Sequence, residues 1–214
     1  MYRPGAFVED DPAQLAALIG ASPLASLVVH AEGRLLAAHA PLLAEHGADG
    51  RITALVGHVA RANPFWQALT EGAEVLAIFT GPDAYVSPSM YPSKQVHGRT
   101  VPTWNYARVE ARGRACVESD PARVRPYFER LTEALERDRS EPWAVDDAPE
   151  PYIEKLQHAL VGLRIEIDDI RGALKMSQNR SADDFAGVRD GLAASSSLSD
   201  RAVSALMTHN ARLD

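Results

Sequence analysis

A succession of strand-like segments, joined by turns and short helical pieces, constrains this chain more than any other feature. Apolar and β-branched residues dominate seven segments, 24–31, 34–43, 51–58, 74–80, 84–90, 101–117 and 161–170, from which about six strands are expected. Strands that alternate with full-length helices would build a parallel sheet, and that alternation is missing. The pattern predicts a mainly β fold with α insertions, an antiparallel barrel.

Punctuation refines this outline. Glu32-Gly33 reads as a hairpin turn, and Gly81-Pro82 as a turn that separates 74–80 from 84–90. Gly113, inside the long segment 101–117, predicts a bulge or bend. Asp11 followed by Pro12 starts a short helix that ends near Gly20. Asn63 caps a small helix over 64–70, and Asp120 caps an amphipathic one over 121–137 through Val124, Tyr127, Phe128, Leu131 and Leu135. Segment 140–151 reads as a loop before a short helix over 152–160. Ser181 and Ser199 are the expected caps of helices over 183–194 and 201–212. The expected organisation is one domain over residues 1–180, with a C-terminal helical pair, 181–214, packed on it.

Composition excludes several classes. With 46% hydrophobic residues in 214, the chain has the material for a full core. Cys116 is the single cysteine, so neither an intramolecular disulfide nor a thiolate cluster can form, which suits a reducing compartment. No apolar stretch approaches the roughly 20 residues of a membrane helix, and the opening MYRPGAFVEDD lacks a signal-peptide apolar region. A soluble cytoplasmic protein is expected, with no membrane association. The net charge of −7 argues against direct DNA binding, and so do five Asp against three Arg in 181–214. The seven histidines show no metal-binding spacing, and no G-x-S-x-G, P-loop or G-x-G-x-x-G sequence occurs.

Four segments carry candidate chemistry. In Gly57-His58-Val59-Ala60-Arg61-Ala62-Asn63-Pro64, a strand end meets a helix start, and His58 and Arg61 add donors and charge suited to a phosphate monoester. The same residues also read as a surface arginine beside a helix cap at Asn63. In the run from Gly81 to Tyr91, two prolines interrupt ladder pairing and leave backbone groups, with Ser87, for the polar edge of a flat ring; an edge strand beside a loop is the equal alternative. In Val101-Pro102-Thr103-Trp104-Asn105-Tyr106, Thr103 and Asn105 share one strand face, and Trp104 and Tyr106 the other. That division suits a ligand on one side and a subunit on the other, or else a core tryptophan. Lys175-Met176-Ser177-Gln178-Asn179-Arg180 brings two cations and three amide or hydroxyl groups together, in a chain with three lysines and nineteen arginines. Read alone, it is a solvated loop before a helix.

Taken in order, MYRP…F, His39-Ala40-Pro41-Leu42, GHVARANP, GPDAYVSPSMY, VPTWNY and KMSQNR resemble the PaiB family of FMN-binding negative transcriptional regulators. That resemblance implies a split β-barrel of the FMN-binding type, related to pyridoxamine phosphate oxidases. It also implies a homodimer with FMN held noncovalently at the subunit interface. By the resemblance, His58 and Arg61 hold the phosphate beside the Asn63 cap, helped by Lys175 or Arg180 from the facing subunit. Ser87 and its neighbours line the isoalloxazine edge, Trp104 contributes aromatic area, and Asn105 and Gln178 meet polar atoms. Glu110 stands where the family pattern has histidine, and Met176 where it has leucine. The implied function is negative regulation of transcription by a flavin-dependent or flavin-stabilised dimer. The alternative is a flavin-dependent oxidoreductase acting on a small substrate, in which the cofactor supplies the chemistry.

Overall fold

Hairpin chemistry begins the sheet. In the computed structural model, which describes residues 1–69 and 72–210, Glu32 and Gly33 take φ of 52° and 73°. Two successive residues with positive φ form the type I′ turn, whose twist matches that of the flanking strands. The turn joins β2 (Leu24–Ala31) to β3 (Arg34–His46), antiparallel, with Ala31 opposite Arg34 and Leu24 opposite Pro41. β4 (Ile52–Ala60) returns along β3 and places Gly57 opposite Leu42. Three longer strands follow: β5 (Glu74–Val86), β6 (Thr103–Glu118) and β7 (Leu160–Lys175). A two-residue strand, β1 (Val8–Glu9), pairs with the end of β7.

The pairing order is β1-β7-β4-β3-β2-β5-β6, and a further β6–β7 pairing closes six of the strands on themselves. Closure removes the exposed edges that an open sheet would present. It depends on small residues where backbones approach. On β6, Asn105, Ala107, Val109, Ala111, Gly113 and Ala115 are buried, while Trp104, Arg112, Arg114 and Cys116 are exposed. A Cβ at Gly113 would lie 2.0 Å from the Glu166 carbonyl oxygen, and one at Gly57 2.3 Å from that of Pro41.

These contacts correct two expectations. Gly113 sits in unbroken alternation, so it serves close approach to β7 and makes no bulge. Gly81-Pro82 is no turn, because β5 runs through it without a break. A Cβ at Gly81 would lie 3.0 Å from that of Ala107, so this glycine too answers a neighbouring strand. The β2–β5 pairing ends at Ile78, before Pro82, so on that side of β5 the missing N–H costs no bond.

Among the described residues, six α-helices complete the fold. α1 (Pro12–Ala21) buries Leu15 and Ile19. α2 (Ser93–His97) ends at Gly98, whose φ is 66°. α3 (Pro121–Glu136) starts where the Asp120 carboxylate accepts from the Ala122 N–H at 3.0 Å, and it buries Val124, Phe128 and Leu131. α4 (Glu150–Ala159) begins inside the expected loop 140–151, which also holds a 3-10 turn at Val145–Asp147. Val145 and Ile153 form a small core with Val124 and Phe128, which accounts for the order in that segment. α5 (Ala182–Ala193) follows the Ser181 cap. α6 (Leu198–Asn210) begins earlier than expected, and Ser197 Oγ accepts from the Asp200 N–H at 3.4 Å. Ser199 instead bonds the Asp83 backbone, donating to its carbonyl at 2.7 Å and accepting from its N–H at 3.2 Å. Thr70, and the part of the expected C-terminal helix that reaches Arg212, lie outside the described residues.

Contacts divide the chain into two compact units. The first comprises Met1–Asp11, Thr80–Val109 and Arg171–Asp214, and the second Pro12–Phe79 and Glu110–Ile170. β5, β6 and β7 each pass from one to the other. No helix among the described residues is long and apolar enough to cross a membrane.

Candidate functional site

The second unit holds His58, Arg61 and Asn63, at and just beyond the end of β4. Asn63 Oδ1 accepts from the Phe65 N–H at 3.0 Å and caps the 3-10 turn Pro64–Ala68. Arg61 works as a hub. Its Nε donates to the His158 carbonyl at 2.8 Å, and its Nη2 to those of Ser119 at 2.7 Å and Leu160 at 2.9 Å. Its own carbonyl accepts from Trp66 Nε1 at 2.9 Å. One side chain thereby joins the segment after β6 to the α4–β7 junction. Nη1 is the guanidinium nitrogen with no hydrogen-bond partner among the described residues.

His58 lies opposite Gly162 on β7 and meets Phe128 of α3 edge-on, with ring centroids 6.4 Å apart. Its Nδ1 is buried without a partner among the described residues, and burial pushes its pKa below the ordinary 6.5. The sign of the stability effect follows. As pH falls below about 6.5, the unfolded chain takes up a proton that folded His58 refuses, so stability is lost towards the lowered pKa. His58→Leu should flatten this acid limb. Urea midpoints compared between about pH 7.5 and about pH 5 should show the wild type losing more than the variant. Parallel losses would mean that His58 does not titrate differently on folding.

The first unit holds the other six candidates. Ser87 Oγ accepts from the Ser89 N–H at 3.3 Å and caps the 3-10 turn Pro88–Met90. Trp104 is 52% exposed and packs edge-on to Tyr85, with centroids 6.1 Å apart. Asn105 is fully buried: its Oδ1 accepts from Ser177 Oγ at 3.1 Å, and its Nδ2 lies 3.7 Å from Met207 Sδ on α6. Gln178 folds back on its own chain. Its Oε1 accepts from the Met176 N–H at 2.6 Å, and its Nε2 donates to the Leu174 carbonyl at 2.5 Å. The turn so closed holds Ser177 at φ 62°, a conformation that needs such support in a non-glycine residue.

Lys175, the last residue of β7, donates from Nζ to Thr103 Oγ1 at 2.6 Å and lies 6.0 Å from the Tyr106 ring centroid. Burial, then repulsion by Arg180, pushes its pKa below the usual lysine value. The Arg180 guanidinium lies 5.1 Å from the Tyr91 ring centroid. No carboxylate is hydrogen-bonded to either cation among the described residues.

The structure therefore groups Lys175, Gln178 and Arg180 with Asn105, Trp104 and Ser87 in one unit, and His58, Arg61 and Asn63 in the other. Asn105 and Gln178 build the turn after β7, while Lys175 and Arg180 have donors with no partner among the described residues. This donor set fits a flavin phosphate, which is a dianionic acceptor. Sequence reasoning passed over Tyr91, Tyr106 and Arg108 as site residues. One signal was present: no Asp or Glu occurs between Asp83 and Glu110, although the chain is acidic overall and this run contains Lys94, Arg99 and Arg108.

Comparison with known proteins identifies the family. A family model described as "Putative FMN-binding domain" matches residues 1–169. The Bacillus subtilis protein named protease synthase and sporulation protein PAI 2 is 31% identical over 192 residues, covering 88% of this chain and 87% of its own. An uncharacterized Aspergillus fumigatus protein is 35% identical over 169 residues, and the match spans 64% of this chain and 65% of that relative, just under two thirds of its length. Among solved structures, an FAD and heme binding protein from Mycobacterium smegmatis superposes with a TM-score of 0.57 at 22% identity, over 78% of this chain and 73% of that one. The flavocytochrome Anf3 from Azotobacter vinelandii gives 0.58 at 17% identity, over 81% and 72%. At these identities the two structures speak to the fold alone. The closed β topology, the order of the motifs and the family match agree, and this chain belongs to the PaiB-type family of FMN-binding-domain proteins with a split β-barrel fold.

Proposed function

We propose that this protein binds FMN noncovalently and acts as a homodimer in the negative regulation of transcription. The observation that carries the flavin reading is the pair Lys175 and Arg180, two neighbouring cations to which no carboxylate is hydrogen-bonded among the described residues. Ser87 and Trp104 lie in the same unit and are the members of the set left to meet the ring system. Asn105 and Gln178 hold the turn that presents Lys175. His58, the Asn63-capped turn and Arg61 through its remaining Nη1 lie in the other unit, and their part in flavin binding rests on the family resemblance. Bound flavin supplies the redox chemistry, and the side chains bind and orient it.

Dimerisation follows from apolar surface. Trp104, Tyr85, Val101 and Val96 are all half or more exposed in one unit, a patch that a two-fold partner would cover. The net charge of −7 favours regulation through a partner protein or a metabolite over direct contact with DNA.

The test is a flavin titration of the purified protein, followed by absorbance and sedimentation. FMN should bind more tightly than riboflavin. Lys175→Gln should weaken FMN by roughly ten- to hundred-fold, the worth of one charge-assisted bond, and leave riboflavin unchanged. Equal affinity for the two flavins would sink the phosphate assignment, and a monomer at micromolar concentration with FMN bound would sink the dimer. Catalytic turnover of a reduced nicotinamide would move the reading to an oxidoreductase.

A further inference from the structure

Tyr91 is 2% exposed, and its hydroxyl is buried without a hydrogen-bond partner among the described residues. A phenol in that position loses its bonds to water and gains none in return, so it calls for an acceptor from outside the chain. Its surroundings say which kind. Arg180 lies against the Tyr91 ring, and Lys175 lies close enough to Arg180 to feel its charge. Lys175 in turn shares the Tyr106 ring with Arg108, whose Cζ is 5.9 Å from the centroid. Arg108 Nε is a second buried donor without a partner.

Three cations and an unpaired hydroxyl are thus linked through two aromatic rings in one unit. No carboxylate is hydrogen-bonded to any of them among the described residues. Asp184, whose charge interacts with that of Arg180, has its oxygens engaged by the Ser93 N–H at 3.0 Å and the Ser93 hydroxyl at 2.8 Å. Asp184 offsets part of the charge on Arg180, and an anion from solution would relieve the like charges that remain.

We propose that the Tyr91 hydroxyl, Lys175 and Arg180 form an oxyanion site, that Arg108 adds to its positive field, and that the site takes the phosphate monoester of the flavin. The hydroxyl donates one neutral hydrogen bond, and the two cations supply charge. This rests on the flavin reading above and adds Tyr91 and Arg108 to the binding residues.

Tyr91→Phe removes a single oxygen and keeps the ring that Arg180 packs on. If the hydroxyl binds the ligand, the unliganded variant should be as stable as the wild type or more so, because a buried unsatisfied group has gone. Its FMN affinity should fall about ten-fold while riboflavin binding stays the same. Inorganic phosphate at millimolar concentration should raise the thermal midpoint of the wild type and do so less in the variant. Arg180→Gln, which keeps the Tyr91 hydroxyl in the chain, should show the same loss and covers the case of a Tyr91 variant that fails to fold. A wild type that prefers FMN to riboflavin, together with variants that match it, would overturn the proposal and leave the flavin reading standing. If the wild type binds no flavin, that reading fails and the phosphate arm decides the anion site alone. A phosphate shift lost in both variants would support the site, and an equal shift in all three proteins would end it.

Discussion

Alanine at Gly113 is expected to leave little folded protein, with a loss of more than about 3 kcal/mol. The added Cβ would sit 2.0 Å from the Glu166 carbonyl oxygen and 2.8 Å from its carbon, so the obstacle is backbone that no rotamer can clear. β6 and β7 would have to separate where their pairing closes the strand order, and the bonds of that closure would be lost together. Gly20→Ala is the control. Gly20 lies within α1, an alanine there would meet nothing within 4 Å, and the change should stabilise by about 0.5–1 kcal/mol. Soluble yield and urea midpoints of both variants decide the matter, and a Gly113→Ala protein that unfolds like the wild type would show that the strands can part cheaply.

Arg61→Ala should cost about 3 kcal/mol or more, although no apolar core is touched. Three carbonyls, of Ser119, His158 and Leu160, would lose a charged donor at once. Hydrogen bonds to charged groups contribute about 1.5–3 kcal/mol each, and bonds that share one side chain do not add fully. Arg61→Lys should recover little, because a single ammonium cannot span carbonyls that a planar fork reaches in different directions. The denaturant midpoint should fall with the slope unchanged. A variant of normal stability that has lost FMN selectively would instead assign Arg61 chiefly to the cofactor.

The elements that could be read from the chain were those whose causes are local. Asp120 before Pro121 named a cap and a first helical turn, and both are present. Glu32-Gly33 named a hairpin, because positive φ at two neighbours has few other uses. Gly81 and Gly113 were misread for one shared reason. A glycine that flips the backbone and a glycine that admits another strand look alike until the other strand is known, and here Ala107 and Glu166 decide. β7 extends five residues past the expected Ile170 because β1, some 160 residues earlier in the chain, pairs with Gly172 and Ala173. The site follows the same rule. The residue types at 61, 105 and 178 suited a polar ligand, yet the groups they engage, main-chain carbonyls, a serine and a thioether, were beyond any local reading.

The last long strand has one more implication, for where such a protein can be divided. The family match stops at residue 169, whereas β7 continues to Lys175. The edge of the matched family model therefore falls in the middle of a folding element, although the Bacillus subtilis relative, matched over 88% of this chain, corresponds beyond it. A fragment trimmed to that limit would take away the register partners of Val8 and Glu9, and with them Ser177 and Met207, the groups that occupy the Asn105 amide. It would begin life with an uncovered strand edge and a stranded buried polar group, both invitations to self-association. For this chain, the border of a family model falls where the polypeptide has no seam.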